Sequence, residues 1–167
     1  MRPSVPVWLM GMAKHAALRS TCLRRSVGCV LVNERDQILS TGYNGVPSGF
    51  KHCNEGVLEG TMDWAGVSYP NKCSGADAPS GEKLDACNAV HAEQNALLQC
   101  PNVYEIKTAY VTASPCMHCI KLLLNTSCEV IVFDEEYTHC EAKTMWIDSG
   151  RTWLNINDLD ENVDTNM

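Results

Sequence analysis

The sequence predicts a three-layer α/β/α sandwich built on a mixed sheet of five strands. Helical and strand-like segments alternate along its 167 residues, a length that suits one domain with its own core. The first two strand-like segments are joined by a short polar turn, which predicts an antiparallel hairpin. The later strands are separated by helices, and such connections give parallel pairs with helices on both faces of the sheet.

The individual elements follow from apolar periodicity and from proline positions. A periodic stretch with proline near its start predicts a first helix from Pro6 to about Ser20. Strands are predicted at residues 27–32, 38–43, 108–112, 129–133 and 152–156. Three more helices are predicted, at residues 89–100, from Ser114-Pro115 onward, and at 141–148.

Two segments depart from this pattern. Residues 44–86 are rich in Gly, Pro, Asn and Ser, and a loop of this length inside a domain is usually functional or tied down. The chain from residue 158 onward is acidic and lacks apolar periodicity, which predicts a disordered tail at 158–167. The predicted organisation is therefore one domain over residues 1–157 with a long loop insert at about 44–86.

Two short motifs supply the ligands of a catalytic zinc site. His91-Ala92-Glu93 is followed, some two dozen residues later, by Pro115-Cys116-Met117-His118-Cys119. One imidazole, two thiolates and a non-ligating carboxylate in this order are typical of zinc sites that deaminate nucleobases. We expect zinc to be bound by His91, Cys116 and Cys119, which leaves the fourth tetrahedral position open for water.

The helices around these motifs would favour metal binding. His91 and Glu93 are predicted in the first turn of one helix, and Pro115 at the first position of another. Cys116 and Cys119 then lie on one face, and the two helix N-termini favour thiolates at the point where they converge. A Cys-x-x-Cys redox pair and a buried core histidine are the alternatives. His118 points to another helix face and is left out of the metal site.

The charge and composition of the chain limit the kinds of substrate and partner that we expect it to bind. The net charge is −7 with an isoelectric point near 5.1, and no basic run exceeds Arg24-Arg25. Nucleic-acid affinity depends mainly on clustered basic residues, so a free nucleotide is the expected substrate. The apolar stretch from Val5 to Ala13 is a poor signal peptide, and no segment has the roughly twenty apolar residues of a membrane span. We expect a cytoplasmic protein with reduced cysteines.

The chain resembles the deoxycytidylate deaminase branch of the cytidine deaminase superfamily, from its start to about residue 156. The Gly-Tyr-Asn-Gly stretch and the long insert are the discriminating features. Besides the zinc motifs, the resemblance rests on Thr21-Cys22, Val27-Gly28, Thr41 to Gly45 with Pro47 and Gly49, His52-Cys53, Asn95, Tyr110 to Thr112, and Ser114. It implies a cytidine deaminase-like fold.

The resemblance implies hydrolytic deamination at C4 of cytosine. Deoxycytidine monophosphate (dCMP) would become dUMP, feeding thymidylate synthesis, and the triphosphate (dCTP) is an open second substrate. Zinc would bring the pKa of its water toward about 7, and Glu93 would move the proton from that water to N3 and then to the departing amine.

The resemblance also implies a set of substrate contacts. Asn44 would bind the sugar through an amide with both donor and acceptor capacity, and Ala92, Ser114 and Tyr137 would line the site. A turn role for Asn44, and a core or surface role for Tyr137, are the alternatives. Arg24, Arg25 or Ser26 would contact the phosphate, although each is also an ordinary solvated side chain.

A second, structural zinc is suggested by further cysteines. By resemblance, Cys22 and Cys53 match positions that hold zinc in some relatives, and Cys87 lies one helical turn before His91. Cys73 inside the insert would complete a four-sulfur site, with His52 as the competing fourth ligand. Such a site would order a loop that lacks its own core. The alternative is four free thiols.

The resemblance further implies a hexamer regulated by nucleoside triphosphates. Deoxycytidine triphosphate would activate, and thymidine triphosphate (dTTP) with Mg²⁺ would inhibit. The expected effector residues are Gly42, Tyr43, Gly45 and Asn95. Residues 54–86 and the sequence Gln99-Cys100-Pro101-Asn102 depart from relatives, so the effector response and the number of phosphates accepted stay open.

Three other functions are compatible with parts of this sequence pattern. A tRNA or other polynucleotide-editing deaminase is disfavoured by the acidic charge. A metal-stabilised binding module without activity is disfavoured by the intact Glu93, because a structural zinc has no use for a proton shuttle. A riboflavin-pathway pyrimidine deaminase is disfavoured because its reductase domain is not present in this sequence.

Overall fold

The computed structural model describes residues 2–53, 73, 75, 78–79, 82, 87–137 and 140–160. The strands are β1 (Gly28–Val32), β2 (Ile38–Tyr43), β3 (Thr108–Ala113), β4 (Val130–Glu135) and β5 (Thr152–Asn155). The α-helices are α1 (Val5–Ala17), α2 (Ala92–Gln99), α3 (Met117–Leu124), α4 (Cys140–Asp148) and α5 (Ile156–Asp160). A short 3₁₀ turn at Val103–Glu105 was not predicted from the sequence.

The five strands form one mixed sheet in the order β2-β1-β3-β4-β5. β1 is antiparallel to both β2 and β3, so the predicted hairpin is confirmed. β3, β4 and β5 are mutually parallel, and each successive pair is connected through a helix. The predicted mixed five-stranded sheet is therefore confirmed.

Helices cover both faces of the sheet and give two apolar cores. On one face α2, α3 and α4 pack over residues such as Leu31, Val111 and Ile131. On the other face α1 and α5 pack over Val30 and Val132. Because successive strand residues point to opposite faces, the fully buried β1 serves both cores, and the three-layer prediction is confirmed.

Two glycines allow helices to approach the sheet closely. A Cβ atom at Gly28 would lie 1.9 Å from the carbonyl oxygen of Ala13 in α1. At Gly42 it would lie 2.1 Å from the carbonyl oxygen of Ala92 in α2. Since no side chain fits at such distances, these glycines bring the backbones of α1 and α2 onto the sheet.

Three predicted helix boundaries are corrected by the structure. α1 ends at Ala17 instead of about Ser20, because the next amides bond to carbonyls only three residues back, as at the end of a helix. α2 begins at Ala92, so His91 is its extended N-cap residue. α3 begins at Met117, because Cys116 is likewise an extended N-cap and Pro115 precedes it. Pro115 is therefore not the first helical residue.

A short helix extends into the segment that was predicted as a disordered tail. α5 continues to Asp160, because Ile156 is buried and Leu159 packs against the core beneath α1. Residues 161–167, and most of the insert between 54 and 86, lie outside the described residues. No described helix combines the length and apolar character that crossing a membrane requires.

Candidate active site

The two metal-ligand motifs meet at the N-termini of α2 and α3. His91 and Cys116 are both N-cap residues with extended backbones, so their side chains lie at the ends of the helices. The side-chain oxygen of Gln94 accepts a hydrogen bond of 2.9 Å from the backbone N–H of His91. This role of Gln94 was not predicted from the sequence, although a glutamine three residues after an N-cap is the signal of a capping box.

His91, Cys116 and Cys119 form a triangle that fits a tetrahedral zinc ion. The Nδ1 atom of His91 lies 3.4 Å from each cysteine sulfur, and the two sulfurs are 3.8 Å apart. Zinc bonds of about 2.3 Å to sulfur and about 2.0–2.1 Å to nitrogen predict tetrahedral edges of roughly 3.5 and 3.8 Å. Within the described part of the chain, these three residues make up the one such group close enough for a metal ion.

One of the two cysteines is already ionised, as metal binding needs. Hydrogen bonds from the thiol of Cys119 and the imidazole of His91 lower the pKa of Cys116 to about 3. The same contact with Cys116, together with burial, raises the pKa of Cys119. Cys116 is therefore a thiolate at neutral pH, and a zinc ion would displace the proton that Cys119 retains.

Glu93 lies beside the triangle without belonging to it. Its side chain is only 4% exposed, and burial raises the pKa of this carboxyl group above its usual value. Glu93 also lines the same pocket as His91 and Cys116. A buried carboxyl group of this kind can take up and release a proton inside the pocket.

The predicted substrate residues share this pocket. Asn44, Ala92, Ser114 and Tyr137 all line it, together with His91, Glu93 and Cys116. They come from the end of β2, the start of α2, the end of β3 and the segment after β4. The structure therefore brings together residues that are far apart in sequence, although their contacts with a substrate stay a prediction.

The amide of Asn44 is largely occupied by the protein itself. Its oxygen accepts hydrogen bonds from the Ser20 hydroxyl at 2.7 Å and from the Val27 backbone N–H at 2.8 Å. Its nitrogen donates to the carbonyl oxygen of Arg25 at 2.8 Å. Three of the four hydrogen-bonding positions are thus used, and the fourth is an N–H donor. One N–H of the Asn44 amide therefore remains for a ligand, whereas its oxygen is fully used by hydrogen bonds from the segment before β1.

The two arginines before β1 have different roles. The guanidinium group of Arg24 donates to the carbonyl oxygens of Pro79 at 2.6 Å and Glu82 at 2.9 Å, so it fastens the insert. The guanidinium group of Arg25 pairs with Glu135 and lies 5.6 Å from the ring centre of Tyr137. Both arginines line the pocket, while Ser26 is exposed and does not belong to the described lining.

The four cysteines of the predicted second zinc site are neighbours. The thiol of Cys73 forms hydrogen bonds with those of Cys53 and Cys87, and Cys22 interacts electrostatically with Cys53 and Cys87. Burial is the main cause of the raised pKa of Cys53 and of Cys87. At Cys73 burial opposes the shift, but hydrogen bonds from backbone and thiol groups lower the pKa.

Their spacing is looser than that of the first site. Of the described residues, only His91, Cys116 and Cys119 have ligand atoms all within 4.8 Å of one another. Cys87 is not one helical turn before His91, because residues 87–89 are not helical and α2 begins only at Ala92. His52 is exposed. A second metal therefore stays a prediction.

The predicted effector residues connect β2 to α2. Gly42 packs against the backbone of α2, and Asn95 donates a hydrogen bond of 2.8 Å to the carbonyl oxygen of Tyr43. Gly45 pairs with Val90 just before α2. These contacts give all four residues a structural role, and effector binding by them stays a prediction.

Fold and site together define a class of protein: a three-layer α/β/α domain with a His-Cys-Cys zinc-ligand set and a buried glutamate beside it. A family model described as the cytidine and deoxycytidylate deaminase zinc-binding region matches residues 4–135. The chain belongs to the cytidine and deoxycytidylate deaminase family.

Named relatives agree with this family. The deoxycytidylate deaminase of Mycobacterium phage D29 is 38% identical over 141 residues, which cover 81% of this chain and 98% of the phage protein. The deoxycytidylate deaminase of Schizosaccharomyces pombe is 36% identical over 138 residues, and that of Saccharomyces cerevisiae is 33% identical over 139 residues. The matches cover 81% and 82% of this chain but only 38% and 39% of the two yeast proteins.

Solved structures share the fold. The dCMP deaminase of cyanophage S-TIM5 in complex with dCMP and dUMP matches with a TM-score of 0.66 at 24% identity, covering 93% of this chain and 98% of the phage chain. Its apo form matches with a TM-score of 0.65 at 23% identity, covering 93% and 99%. At this identity the likeness establishes the cytidine deaminase-like fold.

Proposed function

We propose that this protein hydrolyses the 4-amino group of deoxycytidine 5′-monophosphate to give dUMP and ammonia. The observation that carries the proposal is the buried Glu93 beside the triangle of His91, Cys116 and Cys119, inside one pocket. Relatives described as deoxycytidylate deaminases support this choice of substrate, as does the S-TIM5 enzyme solved with dCMP and dUMP. The product would supply thymidylate synthesis.

The residues of the pocket have distinct parts in this reaction. A zinc ion held by His91, Cys116 and Cys119 would supply an activated water molecule near neutral pH. Glu93 would accept one proton of the attacking water and deliver it to N3 of cytosine. It would then carry the second proton, from the new 4-hydroxyl group, to the amine, so that the C4–N bond breaks and the C4 carbonyl forms as ammonia leaves. Its burial keeps this exchange away from bulk solvent, and its raised pKa makes the carboxylate a stronger base toward the water proton than an exposed glutamate.

Arg25 is the residue that we propose for the 5′-phosphate. Arg24 is committed to two carbonyl oxygens of the insert, and Ser26 is exposed outside the described pocket lining. Arg25 presents a guanidinium group at the pocket, and this group matches the geometry of phosphate oxygens. The open N–H of Asn44 would meet a sugar oxygen on the same side, because Asn44 holds the backbone of Arg25.

The first experiment follows the loss of cytosine absorbance with zinc-loaded protein. Deoxycytidine, dCMP and dCTP are compared at equal concentration, with Glu93→Gln protein as the inactive control. We expect turnover to require a 5′-phosphate, and the ratio of rates on dCMP and dCTP shows which phosphate form is used. Equal turnover of deoxycytidine and dCMP would contradict the proposed substrate, and no turnover of any would contradict the proposed activity.

We also propose a second, structural zinc bound by Cys22, Cys53, Cys73 and Cys87. The contacts of Cys73 with Cys53 and Cys87 support it, since Cys73 comes from the insert and would otherwise bring a polar loop onto the domain without a core. A closed set of four thiolates is a common structural zinc site.

Metal analysis tests this second site. We expect about two zinc ions per wild-type chain and about one in Cys73→Ser protein that retains activity. Cys140→Ser, which replaces an exposed cysteine at the start of α4, is the matched control and should keep both ions. A parallel His52→Ala variant decides whether that imidazole is the fourth ligand. About one zinc per chain in folded wild-type protein would contradict the proposal.

Regulation and assembly are proposed on the family resemblance. We expect a hexamer that dCTP activates and dTTP with Mg²⁺ inhibits, with Gly42, Tyr43, Gly45 and Asn95 near the effector. These residues lie where β2 meets α2, the helix capped by His91, so a ligand there could act on the site through α2. Light scattering and the same absorbance assay with each triphosphate added test the two statements.

A further inference from the structure

Glu135 is an acidic residue paired with Arg25, which lines the pocket that we propose to receive an anionic substrate. It is the last residue of β4, and its carboxylate pairs with the guanidinium group of Arg25. The two residues are 110 positions apart in sequence. A negative charge beside a phosphate site would by itself weaken phosphate binding, so this ion pair needs an explanation.

The contacts of Arg25 show that its side chain is held at two points. One guanidinium nitrogen contacts the carboxylate of Glu135, and the guanidinium carbon lies 5.6 Å from the ring centre of Tyr137, within the range of a cation–π contact. Within the described part of the chain, no further side-chain partner of Arg25 is found. Among the described residues, Glu135 engages only one guanidinium nitrogen, which leaves the other N–H groups of Arg25 for the ligand that we propose.

The segment that carries Glu135 is itself fixed to the metal-ligand loop. The backbone N–H of Ser114 donates to the carbonyl oxygen of Glu135 at 2.9 Å, and the backbone N–H of Tyr137 donates to the Ser114 hydroxyl at 2.6 Å. Ser114 lies two residues before the zinc ligand Cys116. The side chain of Arg25 is therefore set relative to the metal ligands through Glu135, Tyr137 and Ser114.

We propose that Glu135 is a positioning residue, which holds the guanidinium group of Arg25 at the pocket for the 5′-phosphate of the substrate. The inference rests on the proposed function and deepens it, because it assigns phosphate selectivity to the Arg25–Glu135 pair. A free arginine side chain must lose rotamer freedom when it binds phosphate, and the ion pair and the ring of Tyr137 remove much of that cost beforehand.

The direction of the change in KM for dCMP shows whether Glu135 positions Arg25 or acts only as a nearby negative charge. If Glu135 positions Arg25, Glu135→Gln raises the KM for dCMP by roughly three- to fivefold, the size of a partly exposed ion pair. The kcat of this variant should stay within twofold of wild type, and so should its inhibition constant for deoxyuridine, which lacks the phosphate. Its inhibition constant for dUMP, which carries the phosphate, should rise together with the KM for dCMP. If Glu135 acts only as a nearby negative charge, its removal lowers the KM.

The adjacent Glu136 provides a matched control. It pairs with Lys143 at 3.4 Å instead of with Arg25, and its side chain is 58% exposed against 69% for Glu135. Glu136→Gln removes the same charge at nearly the same place, so we expect an unchanged or slightly lower KM for dCMP. Equal increases in KM in the two variants would overturn the proposal.

A double-mutant cycle tests whether Glu135 acts through Arg25. In an Arg25→Ala background, Glu135→Gln should have no further effect on the KM for dCMP, and the same increase there as in wild type would overturn the proposal. Thermal unfolding of each variant checks that the fold is kept. A wild-type enzyme without preference for dCMP over deoxycytidine would refute the proposed function, whereas a clear preference combined with an unaffected Glu135→Gln variant would refute this inference alone.

Discussion

The chemistry that we propose for the site depends on one buried carboxyl group. Glu93 is two residues from His91, but it lies outside the ligand triangle and inside the pocket. Burial raises the pKa of this carboxyl group, and its charge interacts with His91 and its side chain with Cys119. This position beside the metal ligands is the one that the proposed proton transfer requires.

Replacing Glu93 should separate metal binding from catalysis. We expect Glu93→Ala and Glu93→Gln to retain the catalytic zinc, since the three ligands are untouched, and to lose about 10²–10⁴-fold or more in kcat. Metal analysis and the absorbance assay measure the two effects, and Glu34→Gln, an exposed glutamate in the β1–β2 turn, is the control. A variant that keeps wild-type turnover would remove Glu93 from the mechanism.

The buried Tyr110 should make the stability of the fold decrease at alkaline pH. Its side chain is 5% exposed, and burial, with a further contribution from Asp36, raises the pKa of the phenol to about 12. A tyrosine in an unfolded chain has a pKa of about 10. The folded protein thus binds this proton more tightly, so the stabilisation is complete below about pH 10 and is lost as the pH rises from about 10 to 12.

Tyr110→Phe should remove this part of the pH dependence. Between pH 9 and 11.5, the free energy of unfolding should fall by about 1–2 kcal/mol less in the variant than in wild type. Denaturant titrations at both pH values measure the difference, and Tyr104→Phe, at a ring that is 71% exposed, is the matched control. An identical fall in the Tyr110 variant and in wild type would contradict the assignment.

Residues within one motif could be predicted from sequence, and residues that meet across the fold could not. His91, Glu93, Cys116 and Cys119 were found because their spacing is local and their chemistry is specific. The choice between Arg24 and Arg25 needed the structure, since it depends on carbonyl groups of the insert and on Glu135, which are 55 to 110 residues away. Glu135 itself carries no local signal.

At the scale of elements, helix α2 joins the metal site to the sheet. Its N-cap residue is the metal ligand His91, and the helix lies directly against Gly42 of β2, where a Cβ atom would be 2.4 Å from the backbone nitrogen of Ala96. The backbones of strand and helix are thus in contact. Any residue larger than glycine would push α2, and the ligand at its start, away from the sheet.

Gly42→Ala should destabilise the domain. We expect a loss of about 1–3 kcal/mol or more in the free energy of unfolding, because neither backbone can move without disturbing the core. Gly11→Ala is the matched control, since nothing lies within 4 Å of a Cβ atom there and alanine favours the middle of α1 by about 0.5–1 kcal/mol. Urea unfolding compares them, and a Gly42 variant as stable as wild type would show that α2 can shift freely.

Element types were predicted well and element ends were not. Apolar periodicity identified every strand and the helices α1 to α4, because it reflects which face is buried. The starts of α2 and α3 were misplaced because His91 and Cys116 adopt extended N-cap conformations, and neither residue type is a common N-cap. Metal-ligand geometry, which local propensity does not include, provides the reason.

At the scale of the whole molecule, the hairpin and the helical connections were enough to predict a mixed, two-sided sheet. Short connections and the handedness of crossovers leave few alternatives for such a pattern. The arrangement of the cysteines was harder to predict, because Cys73 reaches Cys53 and Cys87 through an insert without periodicity. The resemblance, and not the spacing, pointed to that cluster.

The overall charge bears on the alternative of polynucleotide editing. With 20 acidic and 13 basic residues the chain carries a net charge of −7, and its two pocket arginines are engaged by Glu135 and by carbonyl groups of the insert. A protein that binds a nucleic-acid backbone neutralises several phosphates with lysine and arginine. The one phosphate of a free mononucleotide can be bound by a single guanidinium group.

We therefore expect no deamination of cytosine in single-stranded RNA or DNA under conditions where dCMP is turned over. Oligonucleotides with one central cytosine are incubated with zinc-loaded enzyme at about 50 mM salt, where phosphate contacts are strongest, and product is read by sequencing while binding is followed by fluorescence anisotropy. Free dCMP in the same tube confirms that the enzyme is active. Edited oligonucleotide, or binding that weakens steeply with salt, would mean that an acidic chain presents a local basic surface, and the polynucleotide-editing function would replace the one proposed.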